Sequence, residues 1–151
     1  MASVIANCVS EILVRDLQKL ATEVSAFKNE ENLWKVQGTI SNSTGNLVLH
    51  LCGNLQHFIG AVLGNSGYIR NRDEEFSKKN ISKKDLLTEI EKTIEAVKTG
   101  ISTLTDEDLY KEYPVEVFGK HSSKAFFLIH LTAHLDYHLG QINYLRRMIE
   151  N

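Results

Sequence analysis

Residues 130–147 read HLTAHLDYHLGQINYLRR, and this stretch combines a helical apolar pattern with three histidines. Its apolar residues recur every three or four positions, which is the spacing of one face of an α-helix. Histidines recur on the same helix at every fourth position, at His130, His134 and His138. Side chains four residues apart project from one face, and imidazole is a common ligand of transition metals. The stretch therefore predicts a helix over residues 123–148 that carries either a metal site or a solvated column of histidines.

The composition is that of one ordinary globular domain. The chain has 151 residues, 24% of them charged, and a formal net charge of −2, so we expect a single domain over residues 1–151. Basic residues are scattered and offer no continuous surface to nucleic acid. No apolar run reaches the roughly 18 to 20 residues that cross a bilayer, and the first residues do not resemble a secretory leader. We therefore expect a cytoplasmic protein that binds neither nucleic acid nor membrane.

Two cysteines, Cys8 and Cys52, are present. They form no CxxC pair and no dense disulfide framework. We expect both to pack as small apolar residues.

Three further segments carry helical patterns. Residues 3–27 and 82–103 are amphipathic, and Ser82 is placed to cap the second of them. Residues 44–63 are apolar on nearly every side, which is typical of a helix buried inside a bundle. Together with the last helix, these segments predict an all-α fold, a four-helix bundle.

The remaining segments are predicted to connect the helices. Residues 29–43 contain several cap-forming residues and predict a loop with at most one short turn, in which Ser41 or Ser43 caps the second helix. Residues 64–80, which begin with Gly64, Asn65 and Gly67 and continue as the charged stretch 70–80, are expected to be a solvated loop. Residues 106–123 contain the sole proline and alternate apolar and polar positions, which predicts a short hairpin or an extended loop.

The buried second helix has one narrow polar face. At about 100° per residue, the side chains on this face lie within roughly 100° of one another. They are Asn46, His50, Gly53, Asn54 and His57. Unpaired imidazoles and amides would each cost about 1–3 kcal/mol in such surroundings, so they need partners. A metal shared with the last helix would supply one, although helical angles do not choose between His50 and His57.

The histidines of the last helix cannot all bind one ion, because they span about 12 Å and drift about 40° per turn. Leu135 follows His134, where HExxH metalloproteases have a glutamate, so the pattern offers no resident general base. Tyr137 and Gln141 share the histidine face, and Asn54 lies on the polar face of the second helix. These three neutral hydrogen-bonding groups are the candidate catalytic residues, since they could orient a water or a substrate.

The motifs of the second and last helices resemble those of one superfamily. HLDYHLGQI resembles the HxxxHxGQ signature of the DinB/YfiT-like superfamily, and SNSTGNLVLHLCGNLQHFIG resembles the second-helix motif of its DinB-like branch. The resemblance covers nearly the whole chain. It implies a four-helix bundle, often a homodimer, that binds a divalent metal such as zinc, nickel or iron through His50, His134 and His138. Leu139 departs from the pattern, since many relatives have arginine there.

The resemblance also implies an activity. Characterised members of the superfamily use the metal to activate a low-molecular-weight thiol for transfer to an electrophile or for isomerisation. We therefore expect a metal-dependent S-transferase or hydrolase with a small-molecule substrate and a thiol as cosubstrate. Three neutral histidines would leave the ion an open position, as in catalytic sites. Two other classes stay open, namely a non-catalytic metal-binding or stress-related interaction protein and a metal-free structural role.

Overall fold

A computed structural model describes residues 3–151 of the protein. Within this range the chain forms six α-helices and no strand, and the four long helices pack as the predicted helical bundle. None of these helices has an apolar stretch long enough to cross a membrane. In chain order they are α1 (Val4–Ala26), α2 (Thr44–Leu55), α3 (Arg72–Ser77), α4 (Lys83–Ile101), α5 (Asp106–Tyr110) and α6 (Lys124–Ile149).

Each long helix begins after a serine whose hydroxyl accepts a hydrogen bond from the backbone amide three residues further on. The four serines are Ser3, Ser43, Ser82 and Ser123. Such a cap satisfies an amide that the helix leaves unpaired and contributes about 1 kcal/mol. The predicted cap at Ser82 is confirmed, and of the two candidates before α2 the helix uses Ser43.

Helix α2 lies at the centre of the bundle. All of its residues except Leu49 are buried, and it packs against α3, α4 and α6. Its leucines meet apolar side chains of α1, α4 and α6 in one core. Each fully buried leucine or isoleucine contributes about 1.5–3 kcal/mol. The predicted burial of the second helix is confirmed, and a polar side chain on it sits in largely apolar surroundings.

The second helical segment changes geometry near its end. After α2 the chain continues as one π-helical turn, Gln56–Ala61. The amide of Val62 donates to the carbonyl of His57, five residues earlier, at 3.0 Å. The Tyr113 hydroxyl donates to the carbonyl of Phe58, which ties the segment before α6 to this turn. Turns of this kind are often found beside functional sites.

Two connecting segments are more helical than predicted. The segment 64–80 is not a solvated loop throughout, because it contains α3, which places the buried side chain of Glu75 against α2. The segment 106–123 begins with α5 and continues as an extended loop that has two isolated β-bridges. Both helices are too short to show a helical period, so apolar spacing does not reveal them. By contrast, the single short turn expected in 29–43 is present as a 3-10 turn, Glu30–Trp34.

The two cysteines differ in their surroundings. Cys52 is buried as predicted, and burial raises the pKa of its thiol to about 12. Cys8 is exposed on α1, so the expectation that it packs as an apolar residue is wrong. Its position in an amphipathic helix falls on the solvent side.

Glu150 ties the end of α6 to the turn that follows α1. Its carboxylate accepts hydrogen bonds from the amides of Lys28 at 2.9 Å and Asn29 at 3.1 Å, and from the side chain of Asn32 at 3.0 Å. Burial acts to raise the pKa of Glu150, but these hydrogen bonds outweigh it and lower the pKa. The carboxylate therefore acts as a charged acceptor that joins two distant parts of the chain.

We predict that Glu150→Ala lowers the free energy of unfolding at pH 7 by about 1–2 kcal/mol. The reason is that Lys28, Asn29 and Asn32 lose the carboxylate to which they donate hydrogen bonds. A carboxylate whose pKa is lowered in the folded state contributes stability above its ordinary pKa of 4.5. The deficit should therefore shrink as the pH falls below that value. Urea denaturation at neutral and acidic pH measures both effects. Glu91→Ala, on the exposed face of α4, is the control, and equal deficits in the two variants would contradict the assignment.

Candidate metal centre

Three histidines from two helices meet between α2 and α6. The Nε2 atom of His50 lies 3.2 Å from Nε2 of His134. The ring of His138 lies with its centroid 5.4 Å from that of His50 and 4.7 Å from that of His134. One potential ligand nitrogen from each ring lies within 4.8 Å of the other two. These are the three residues that the resemblance implies, and they form one group that could hold a metal ion.

The spacing and protonation of the nitrogens fit one divalent ion. Two nitrogens bound at 2.0–2.1 Å to a tetrahedral ion are about 3.3 Å apart, close to the separation of the two Nε2 atoms. Nδ1 of His50 lies 3.0 Å from a carboxylate oxygen of Glu75. Since an ionised carboxylate only accepts, this Nδ1 carries the proton. In the neutral ring Nε2 then presents a lone pair towards His134, which is the tautomer that a metal ligand needs.

The surroundings favour neutral rings at the two positions on α6. Burial, reinforced by His138 and His50, lowers the pKa of His134 to about 4. Its Nδ1 is buried without a hydrogen-bond partner among the described residues. Burial also lowers the pKa of His138, whose Nδ1 lies 2.8 Å from Oε1 of Gln141. Only a neutral imidazole has a lone pair for a metal, so both rings are available near pH 7.

A buried ion pair orients His50. Arg70 donates to both carboxylate oxygens of Glu75, at 2.8 and 2.9 Å, and both side chains are largely buried. Burial acts to raise the pKa of Glu75, but hydrogen bonds from His50 and Arg70 together lower it. The carboxylate therefore stays charged. A carboxylate that holds the outer nitrogen of a histidine fixes the ring and makes it a stronger ligand.

The sequence of α2 leaves room for this carboxylate. A Cβ atom on Gly53 would lie 2.0 Å from Oε2 of Glu75, so a larger residue would displace the acid. Two turns earlier on α2, the side chain of Asn46 donates to the backbone carbonyls of Glu75 and Lys78, each at 2.9 Å. Asn46 therefore anchors α3 to α2 rather than facing the histidines. Gly53 and Asn46, which both belong to the predicted polar face, therefore determine where Glu75 lies.

The other predicted residues lie at different distances from the histidine group. Gln141 contacts His138, whereas Tyr137 is 66% exposed, with its ring 5.3 Å from that of His138. Asn54 is buried, and its amide oxygen has no hydrogen-bond partner within the described range. His130 is outside the group, with its ring 6.2 Å from that of His134. His57 is also outside the group, since it lies about two turns, or roughly 10 Å, further along the helix than His50.

One protein family matches the part of the chain that contains the histidine group and its neighbours. A family model described as "Protein of unknown function (DUF1572)" matches residues 5–151. The chain belongs to this family. A search of curated proteins found no match. The matched range of this DUF1572 member includes the three histidines together with Arg70 and Glu75.

Sequence reasoning on this DUF1572 protein missed Arg70 and Glu75. Both fall in a stretch rich in charged residues, where one buried acid looks like any solvated one. The available indication was Gly53, because a glycine inside a buried helix often marks the close approach of another group. That indication does not say which group approaches.

We predict that Gly53→Ala destabilises the DUF1572 protein by roughly 1–3 kcal/mol, because the new methyl group pushes Glu75 away from Arg70 and His50. Gly140→Ala on α6 is the matched control, since a Cβ there meets no atom within 4 Å. Alanine in that open position should stabilise the helix by about 0.5–1 kcal/mol. Chemical denaturation of the two variants compares them. If Gly53→Ala were as stable as Gly140→Ala, the tight fit of Glu75 against α2 would be refuted.

Proposed function

We propose that the protein binds one divalent transition metal ion, namely zinc, nickel or iron, through His50, His134 and His138. The observation that carries the proposal is the pair of Nε2 atoms 3.2 Å apart, with the His50 tautomer set by Glu75. The motif resemblance to the DinB/YfiT-like superfamily supports the same three ligands. Within that superfamily we place the chain in the DinB-like branch, in keeping with its helical bundle.

We further propose that the metal site is catalytic and that the protein is a thiol S-transferase or a hydrolase. A divalent ion with three neutral ligands would keep an open position and lower the pKa of a bound thiol or water, which makes a nucleophile. Glu75 and Arg70 hold the His50 ring, and Gln141 holds the His138 ring. Asn54 and Tyr137 supply neutral hydrogen-bonding groups that would orient the small-molecule substrate. Homodimer formation, which the resemblance implies, stays a prediction.

Space beside the histidines favours catalysis over metal storage or sensing. One cavity of about 470 Å³ includes His138 and Gln141 in its wall. Another, of about 320 Å³, includes His50, Asn54 and His134. Both volumes are in the range of small-molecule sites. A storage site needs no room for a second molecule beside the ion, whereas a transferase needs it.

We predict that the purified protein holds about one transition metal ion per chain and that the double variant His134→Ala, His138→Ala holds none. The reason is that one remaining histidine cannot retain the ion. Elemental analysis after dialysis against a weak chelator measures the content. The matched control is the double variant His57→Ala, His121→Ala, which removes two histidines outside the group. Equal metal content in the wild type and the His134, His138 variant would show that these histidines do not bind metal.

The second prediction for this site concerns Glu75, which contacts the nitrogen of His50 that faces away from the proposed metal. Glu75→Gln should weaken metal binding by about 10- to 100-fold, because the His50 ring loses the charged acceptor that orients it. Glu74→Gln changes the neighbouring residue, whose carboxylate pairs with Lys78 at the surface, and should leave the affinity unchanged. Competition titration against a chromogenic chelator gives both constants. Equal affinities in the two variants would show that Glu75 does not support the metal.

The third prediction tests catalysis. Metal-loaded protein should accelerate transfer of a cysteine-based thiol to a halogenated or epoxide electrophile, and Gln141→Ala should reduce turnover while it keeps its metal. The amide contacts His138 from the solvent side, so its loss changes orientation rather than the ligand set. Turnover and metal content are measured on the same samples. A metal-loaded wild type that transfers no thiol and hydrolyses none of these electrophiles would favour the non-catalytic metal-binding alternative.

A further inference from the structure

The smaller cavity beside the histidines combines an aromatic wall with positive charge. His50 and His134 line it on one side. Phe58, Phe118 and Phe127 provide aromatic surface, and Asn54, Arg70 and Arg72 provide polar groups. Its volume of about 320 Å³ lies at the lower end of the range for small-molecule sites, which suits a molecule of about one ring.

Arg72 is an exposed arginine at the wall of this cavity, and it forms no ion pair with a carboxylate of the described residues. Among residues 3–151, the arginines that form ion pairs are Arg15, Arg70 and Arg146. Arg70 is neutralised by Glu75. The guanidinium of Arg72 instead lies 5.2 Å from the ring centroid of Phe76, and Phe76 in turn packs 4.9 Å from the ring of His50. Stacking on Phe76 positions the guanidinium and leaves its N–H groups available to an anion.

Asn54 is a second polar group with an unmet hydrogen bond. It is 8% exposed, and its amide oxygen has no partner among residues 3–151. An unsatisfied buried amide group costs about 1–3 kcal/mol, and a ligand that bonds to it recovers this energy. Because a side-chain amide can rotate by half a turn, Asn54 can serve either a donor or an acceptor on the ligand.

The aromatic wall is held in place by its neighbours. Phe127 stacks on Tyr113 at 4.4 Å and meets Phe58 edge-on at 5.0 Å. Phe118 packs against His130 with ring centroids 4.7 Å apart. The backbone of Phe118 has a φ of 62°, in the left-handed region that bulky residues rarely adopt. The turn thus places an aromatic side chain, which is 58% exposed, beside His130 of α6 at a conformational cost of about 1–3 kcal/mol.

The larger cavity differs in chemistry. Its wall includes His138, Gln141, Tyr137 and apolar side chains such as Leu47 and Met148. No charged side chain from residues 3–151 lines it. An anionic group is therefore better matched by the smaller cavity, where Arg72 lies.

We propose that the cavity lined by Arg72, Asn54 and the three phenylalanines binds a small anionic molecule with an apolar, ring-sized body. Arg72 binds the anionic group, Asn54 bonds to a polar group, and the phenylalanines pack against the body. The inference rests on the proposed function to the extent that the bound molecule would lie beside the metal ion. The positive charge of that ion would act in the same sense as Arg72.

Benzoate, benzamide and acetate are the probes that test this site. Each is titrated by calorimetry into metal-free and zinc-loaded protein in a buffer without carboxylate or phosphate. Benzoate should bind at least tenfold more tightly than uncharged benzamide and than acetate, which lacks the ring. Arg72→Gln should weaken benzoate about tenfold and leave benzamide unchanged. Arg147→Gln is the matched control, because Arg147 also stacks on an aromatic ring, Tyr144, but does not line this cavity.

The outcomes separate the two proposals. Benzoate that binds equally to the wild type and Arg72→Gln overturns the anion site, even if the protein holds its metal. Benzamide or acetate that binds as tightly as benzoate overturns it as well. If the protein holds no metal but metal-free protein binds benzoate through Arg72, the anion site stands and the proposed metal-dependent function fails.

Discussion

Burying His50 in the most apolar helix of the chain requires a partner for each of its ring nitrogens. Nδ1 finds one in Glu75, whose charge is balanced by Arg70. Nε2 faces His134 from across the bundle. An unpaired buried nitrogen would cost about 1–3 kcal/mol, so this one side chain constrains its surroundings on both sides. The placement of α3 and the face that α6 turns inward both depend on it.

This constraint explains several features that otherwise look unrelated. Gly53 leaves the space that the Glu75 carboxylate occupies, and Asn46 holds α3 by its backbone. The same tautomer that satisfies Glu75 leaves a lone pair directed at His134. The contacts of His50 with Glu75 and His134 therefore stabilise the bundle and also orient the nitrogens that could bind a metal. The site can for this reason be formed before any ion binds.

Much of the fold follows from local patterns, because apolar spacing and serine caps act within a few residues. The helix that Ser82 caps and the central burial of α2 are of this kind. The choice between His50 and His57 is not open to such reasoning, because seven residues return the helix to within about 20° of the same direction. Only the packing of α2 against α6 decides that His50 is the one that meets His134. Glu75 was also beyond reach, since its contact with His50 joins residues 25 positions apart and nothing in the intervening charged stretch encodes it.

A crystal structure of the zinc-loaded protein, with anomalous diffraction data collected at the zinc edge, would locate the metal ion and its ligands. We predict one zinc site with nitrogens of His50, His134 and His138 at about 2.0–2.1 Å. Glu75 should stay bonded to Nδ1 of His50 and should not touch the ion. A zinc ion bound elsewhere, or one bound by Glu75 in place of His50, would show that the three histidines do not form the metal site.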